Sequence, residues 1–309
     1  MTPGDLRDLI AKKIPGGSVV PRHTAKGHFY EVVPVGKTFP SVTAKLQVLK
    51  DEGLINYKMN RALEYVFGHY SEFNDANITE HLELAARVPQ DILEDAGDIG
   101  TRIHGYREDY FNAWIQSGVR PAETRSFIPN TETDVRATSA MRALQSFVQE
   151  CDYIPVLSEL LVYDVDLALA GTLDDLGIMR KVIREGSSDC IHDIVGDNPQ
   201  VKGKFHCFKC DYKFTYEYVL LDVKTSNQFK DHYFFQVAIY YMMLCKLTGL
   251  KPTRCFILKL SKEDGTYKIE ELRQLGKLVR YAKHMLKTNE ALDFIRGLRK
   301  DNQKTVVTL

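Results

Sequence analysis

Residues 216–225, Tyr-Glu-Tyr-Val-Leu-Leu-Asp-Val-Lys-Thr, are an apolar, β-forming run that ends in an acid and a base two positions apart. Such a run reads as a strong strand running into polar residues. Alternate residues of a strand share a face, so Asp222 and Lys224 stand side by side about 7 Å apart. Earlier in the chain, 155–163 and 167–176 are apolar and rich in β-formers, separated by Asp164-Val165-Asp166. They read as a hairpin whose second strand carries Gly171 and Asp174, with a further strand at 179–183.

The remaining segments supply helices around these strands. Residues 1–22 read as a short helix and a Pro/Gly-rich connecting segment, and 28–43 as a hairpin turning at Val35-Gly36-Lys37. Ser41 caps a helix through Ala44, Leu46 and Leu49, Asp51-Glu52-Gly53 breaks it, and a second helix covers about 54–70. Residues 78–96 are helical, with Pro89 starting a new turn. A separate helix over 98–117, capped by Asp98, has Ile99, Ile103, Tyr106, Tyr110 and Trp114 in one apolar stripe. Residues 134–149 form another, with Val135, Met141, Leu144 and Val148 facing inward. Helix 231–247, strands 255–260 and 267–272, and a helical tail over 275–298 complete the chain. The sum is an α/β fold, a mixed central sheet of four to five strands flanked by helices. Residues 1–97 are the expected N-terminal hairpin and helical region, and 98–309 the core, with an inserted Cys/His loop at 184–214.

The chain has 309 residues, 44% hydrophobic and 27% charged, an ordinary globular composition with room for a large core. No apolar run approaches the roughly 20 residues of a membrane span. The N-terminal MTPGDLRDLIAKK lacks the apolar stretch of a secretory signal. Lys+Arg and Asp+Glu both number 41, giving zero formal charge. That weakens a reading as a passive DNA coat, which advertises a basic surface. It leaves an enzyme open, because acids that hold metals cancel bases that line a groove. Six cysteines are too few for a disulfide scaffold and suit a reducing compartment. The expected location is cytoplasmic, the default for a cytosolic or virus-encoded intracellular protein.

Two acids sharing a divalent metal beside an ammonium are equipment for phosphodiester hydrolysis. The metal polarises the phosphate and lowers the pKa of a water, and the lysine orients that water and offsets transition-state charge. Alone, Asp-x-Lys is a common tripeptide and usually a strand-end ion pair. Here it stands in an ordered set: Gly100-Thr-Arg-Ile-His104, Glu159, Gly171-Thr-Leu-Asp174, Asp222-Val-Lys224 and Gln236-Val-Ala-Ile-Tyr240. This order resembles the PD-(D/E)XK nucleases, whose core is restriction-endonuclease-like. More narrowly it resembles their RecB-like branch, which includes phage and mitochondrial genome maintenance exonucleases. The match spans about residues 39–272, and the upstream FPSVTAKL is similar to the segment before the core in phage and mitochondrial members.

The resemblance implies His104, Asp174 and Asp222 as metal ligands, with the Val223 carbonyl completing the shell. It implies Lys224 as the residue that orients water, Gln236 and Tyr240 as groups positioning the lysine or contacting DNA, and Glu159 as an acid on the first core strand. Oxygen-rich ligation with one imidazole suits Mg²⁺ or Mn²⁺. The implied activity is a metal-dependent DNA exonuclease acting on ends or single strands and leaving 5′-phosphates, in recombination, repair or replication. DNA is the implied partner, with a helicase, recombinase or replication protein beside it and no membrane. The alternatives are a catalytically weak DNA-binding module and a structure- or sequence-specific endonuclease. Residues 39–97 would roof the site, with Lys45, Lys50, Lys58, Arg61, Arg102 and Arg107 as candidate phosphate contacts. Tyr106, Tyr110, Phe229 and Tyr233 are candidate base-stacking groups.

Cys190-x-His192 and Cys207-x-x-Cys210 form a candidate structural zinc set, with His206 competing as a ligand. An iron–sulfur cluster, present in some RecB-like relatives, is not expected. Cys151, Cys245 and Cys255 fall on or beside core elements, and no cysteine triplet follows Tyr240.

Overall fold

The structure, a computed structural model, describes residues 2–24, 27–46, 49, 52–185, 204–207, 209, 210 and 212–306. It is α/β with a mixed central sheet. Helix α1 (Pro3–Lys13) leads into β1 (Val19–Thr24), β2 (Gly27–Val32) and β3 (Lys37–Pro40), which form a three-stranded antiparallel sheet. The β2–β3 hairpin appears where expected, with Gly36 in the left-handed conformation. Strand β1 occupies what reads in the sequence as connecting chain. Pro21 is tolerated because β1 is an edge strand, where one missing N–H costs no ladder bond.

The central sheet consists of β4 (Ile154–Asp164), β5 (Leu169–Arg184), β7 (Lys213–Lys224), β8 (Arg254–Leu260) and β9 (Tyr267–Glu271), side by side in that order. The short β6 (Lys204–His206) pairs with the start of β7, within the segment expected to be irregular. Among the described strands of this sheet only the β7–β8 pair is parallel, joined through helix α6 (Asp231–Thr248). Residues 179–183 are not a separate strand. They continue β5, which pairs along its length first with β4 and then with β7.

Helices cover both faces. On one lie α1, α2 (Val42–Leu46), α6 and α7 (Leu275–Val306), packed through Leu6, Val42, Leu220, Val237 and Ala282. On the other lie α4 (Ile78–Ser117) and α5 (Val135–Glu150), packed through Ile103, Phe111, Leu144, Val219 and Leu221. The Ser41 hydroxyl accepts from the Ala44 N–H, as a cap should. Helix α2 is described over Val42–Leu46, and α3 (Glu52–His69) includes Glu52 and Gly53, which read as breakers.

Helix α4 runs unbroken for 40 residues, through both Pro89 and Asp98. The boundary expected at 97/98 therefore falls inside one helix. Proline removes one N–H from the ladder, but α4 packs on α3 before that point and on α5 and the sheet beyond it, and this packing carries the helix across. Val135 is exposed rather than inward-facing, because it is the first helical residue after the Asp134 cap. Among the described residues no helix is long and apolar enough to cross a membrane.

Two contacts seat the small sheet on the large one. Ser41 bridges Ala170 of β5, and the Tyr30 and Thr172 hydroxyls lie 3.1 Å apart. Beside them, Gly171 admits Tyr240 of α6. A Cβ at position 171 would stand 2.8 Å from the tyrosine ring and 3.3 Å from Val42. Gly171→Ala is expected to cost about 1–3 kcal/mol through overpacking. Urea denaturation measures this cost, and combining the change with Tyr240→Ala should recover much of it. An equal cost with either residue at position 240 would contradict the contact.

Candidate metal centre

Sheet register puts three acids in one row. The β4–β5 ladder pairs Ser158 with Asp175 and Leu160 with Leu173, so Glu159 falls opposite Asp174. The β5–β7 ladder pairs Asp175 with Leu221, so the next step brings Asp174 level with Asp222. Directly opposed residues of antiparallel strands share a face at close range. The Val223 N–H donates to Asp174 Oδ2 at 2.6 Å, tying the middle acid to β7. Glu159 holds a φ of +52°, a left-handed conformation that costs a non-glycine residue about 1–2 kcal/mol.

Helix α4 adds the imidazole. A Cβ at Gly100 would stand 3.0 Å from Thr225 Oγ1, so glycine lets the helix lie against the end of β7. His104 follows one turn later on the same face. His104, Glu159 and Asp174 present ligand atoms that all lie within 4.8 Å of one another, and all three are partly buried. Burial pulls the His104 pKa down to about 4, against the pull of Asp174, leaving a neutral ring with a lone pair for a metal.

Arg107 lies three residues beyond His104 and is fully buried. Its guanidinium pairs with Asp175, the neighbour of Asp174 on β5, and with Glu159. It is therefore an internal support of the acid row and not a surface phosphate contact as the sequence suggests. The other basic candidates that are described have partners: Lys45 with Asp293 at 2.7 Å, Lys58 with Gln90 at 3.0 Å, Arg61 with Glu64 at 2.8 Å and Arg102 with Glu132 at 2.8 Å. Lys50, Cys190 and His192 lie outside the described residues. Tyr106 donates to Glu132, and Tyr110 is buried in the core.

Asp222 stands at the end of the row and faces α6. Gln236 Nε2 donates to its Oδ1 at 3.2 Å. Lys224 Nζ lies 2.7 Å from Oδ2, although no directed hydrogen bond reaches that buried oxygen. Asp222 is not in the close group of His104, Glu159 and Asp174, and Val223 meets the site through its N–H. Burial opposes the Lys224 charge, but Asp222 and Asp174 outweigh it and keep the ammonium charged. The ammonium sits 5.1 Å from the centre of the Tyr233 ring. It opens on a cleft of about 380 Å³ whose lining includes Ala96, Gly97, Gly100, His104 and Tyr233. Phe229 is partly buried against the core, and Tyr240 sits on Gly171.

The charges explain what such a site needs. Four acids, Glu159, Asp174, Asp175 and Asp222, face two fixed cations, Arg107 and Lys224. Like charges 4 Å apart repel by about 4 kcal/mol at an effective dielectric constant of 20. Burial pushes Glu159 up to about 8 and both Asp175 and Asp222 to about 7, despite the neighbouring cations. Asp174 also feels burial, but Lys224, Arg107, His104 and the Val223 N–H hold it below the usual carboxylate value. A divalent cation would supply the missing positive charge. Two carboxylates, one neutral imidazole and the undonated oxygen of Asp222 nearby fit Mg²⁺ or Mn²⁺.

Sequence reasoning missed Asp175 and the burial of Arg107. A signal was present: Arg107 lies four residues after Ile103 and three before Tyr110, on the apolar stripe. No protein-family model and no curated protein matches this chain.

Arg107→Ala leaves two buried acids without their cation and is expected to cost about 3–5 kcal/mol in chemical denaturation; a loss below 1 kcal/mol would contradict its role. The raised acids bind more protons in the folded chain than in the unfolded one, so they stabilise less as pH climbs towards 8. His104 works the other way only below its ordinary 6.5. Metal-free protein should therefore melt at lower temperature at pH 8 than at pH 6.5. Glu159→Gln should shrink that difference, and an unchanged difference would count against the charge assignment.

Proposed function

We propose that this chain is a divalent-metal-dependent deoxyribonuclease that hydrolyses phosphodiester bonds at DNA ends or in single strands. The observation that carries this reading is the convergence of His104, Glu159 and Asp174 within 4.8 Å, beside the charged Lys224. Those three residues would hold Mg²⁺ or Mn²⁺, which when bound polarises phosphoryl oxygens and lowers the pKa of water.

The chain's own groups do the rest. Lys224, kept charged by Asp222, donates to the attacking water and offsets charge that builds on the phosphate. Gln236 fixes the Asp222 carboxylate and so the lysine. Arg107 holds Glu159 in its left-handed conformation, facing Asp174. The small residues Ala96, Gly97 and Gly100 on the cleft wall let a sugar-phosphate backbone approach the row. Cations near the cleft would exchange exposed partners for phosphates at small cost, since surface ion pairs contribute about 0–1 kcal/mol each.

The test incubates labelled single-stranded, linear duplex and closed circular DNA, and single-stranded RNA, with Mn²⁺ or Mg²⁺. Wild type should degrade linear DNA. Asp174→Asn and Lys224→Ala should lose about 10²-fold or more of the rate while melting as cooperatively as wild type. Cleavage that survives in both folded variants would refute the site. Cutting of closed circles would replace the end requirement with endonuclease action, and preferential cleavage of RNA would replace the substrate.

A further inference from the structure

The Cys207–Cys210 segment lies at the opposite end of β7 from the acid row, roughly 30 Å away along the strand. Strand β6 ends at His206 and β7 begins at Lys213, so these cysteines sit in the turn of the β6–β7 hairpin. The turn is closed by the Cys207 N–H, which donates to the Tyr212 carbonyl at 2.9 Å. Within it, the Lys209 N–H donates to Cys207 Sγ at 3.4 Å. Neither sulfur is in a disulfide. Cys207 is buried, and with Cys210, Tyr212 and Phe214 it forms a small cluster separate from the two main cores.

Three physical points converge on a metal. A backbone N–H directed at sulfur favours the thiolate, which is the form that binds metal. Cys-x-x-Cys on a tight turn is the spacing that lets two sulfurs converge on one ion. The turn projects from the start of β7, where β5 and the three-residue β6 flank it and its own apolar cluster is small, and an ion bound there adds folding free energy to that end of the sheet. A redox dithiol fits less well. Its attacking thiolate needs access and is commonly activated at a helix N-terminus, whereas Cys207 is buried and, among the described residues, no helix starts in this turn.

We propose that Cys207 and Cys210 are two thiolate ligands of a structural zinc ion that pins the far end of β7. The site is distinct from the row of Glu159, Asp174 and Asp222 and does not depend on the reading of that row.

The full-length chain, purified without chelator, is analysed for zinc by mass spectrometry. Its metal-free form is then titrated with Co²⁺, whose thiolate-to-metal charge-transfer absorption reports sulfur ligands specifically. Wild type should carry about one equivalent of zinc and give the charge-transfer band. The band should persist in Asp174→Asn and in Cys245→Ser, and disappear in Cys207→Ser and Cys210→Ser. Less than half an equivalent of zinc with no band in the wild type overturns the proposal, as does a band retained in both serine variants. A Cys207–Cys210 disulfide found by peptide mapping of the purified protein overturns it in favour of redox chemistry. The wild-type spectrum decides even where a serine variant fails to fold. DNA cleavage is not read, so a failed catalytic assignment leaves this result intact.

Discussion

Three carboxylates in one row of a sheet repel one another, and the fold around them is arranged to supply positive charge. Arg107 meets the row from α4 and is completely enclosed, so its two acid partners are bound to it within the core. Taking a guanidinium out of water is costly, and its partners recover that cost only if their geometry is held. The geometry is held by long strands on one side and a 40-residue helix on the other. Lys224 meets the row from the cleft side. Between them a net negative charge remains, which protons or a divalent ion must neutralise.

The rest of the molecule follows from bringing these groups together. Two glycines set the approach distances: Gly100 lets α4 reach the end of β7, and Gly171 lets Tyr240 of α6 lie against β5. Gln236, one turn before Tyr240, then reaches Asp222. The same helix carries Tyr233 to the lysine. The small N-terminal sheet closes over β5 through Ser41 and Tyr30, so the strand bearing Asp174 is packed from outside as well as within. Glu159 alone carries visible backbone strain in the row, and its ion pair with Arg107 offsets it.

Much of this was legible in the sequence where periodicity alone decides. A strand of period two places Asp222 beside Lys224 whatever surrounds it, and helices α5 and α6 and strands β8 and β9 lie close to where their patterns predict. Legibility failed where packing overrode a local signal. Pro89 and Asp98 look like helix boundaries but sit inside α4, because the packing of α3 and the core extends past them. Asp174-Asp175 and Gly177 interrupt an apolar run, yet β5 continues because it is paired on both edges. Arginine is normally a surface residue. Its place on the apolar stripe of α4 is the one sequence signal that Arg107 belongs to the interior, and the partners that make this tolerable stand 52 and 68 residues away. The inclusion of Glu159, and not Asp222, in the tightest group depends on side-chain direction, which no sequence spacing encodes.

The central claim is that His104, Glu159 and Asp174 hold a divalent cation. The most direct measurement is a crystal structure of the protein grown or soaked with Mn²⁺, with anomalous data collected near the manganese absorption edge. The expected result is an anomalous peak in contact with the His104 imidazole and the Glu159 and Asp174 carboxylates, with Lys224 beside it. A peak placed elsewhere, or an acid row that binds no manganese at millimolar concentration, would contradict it.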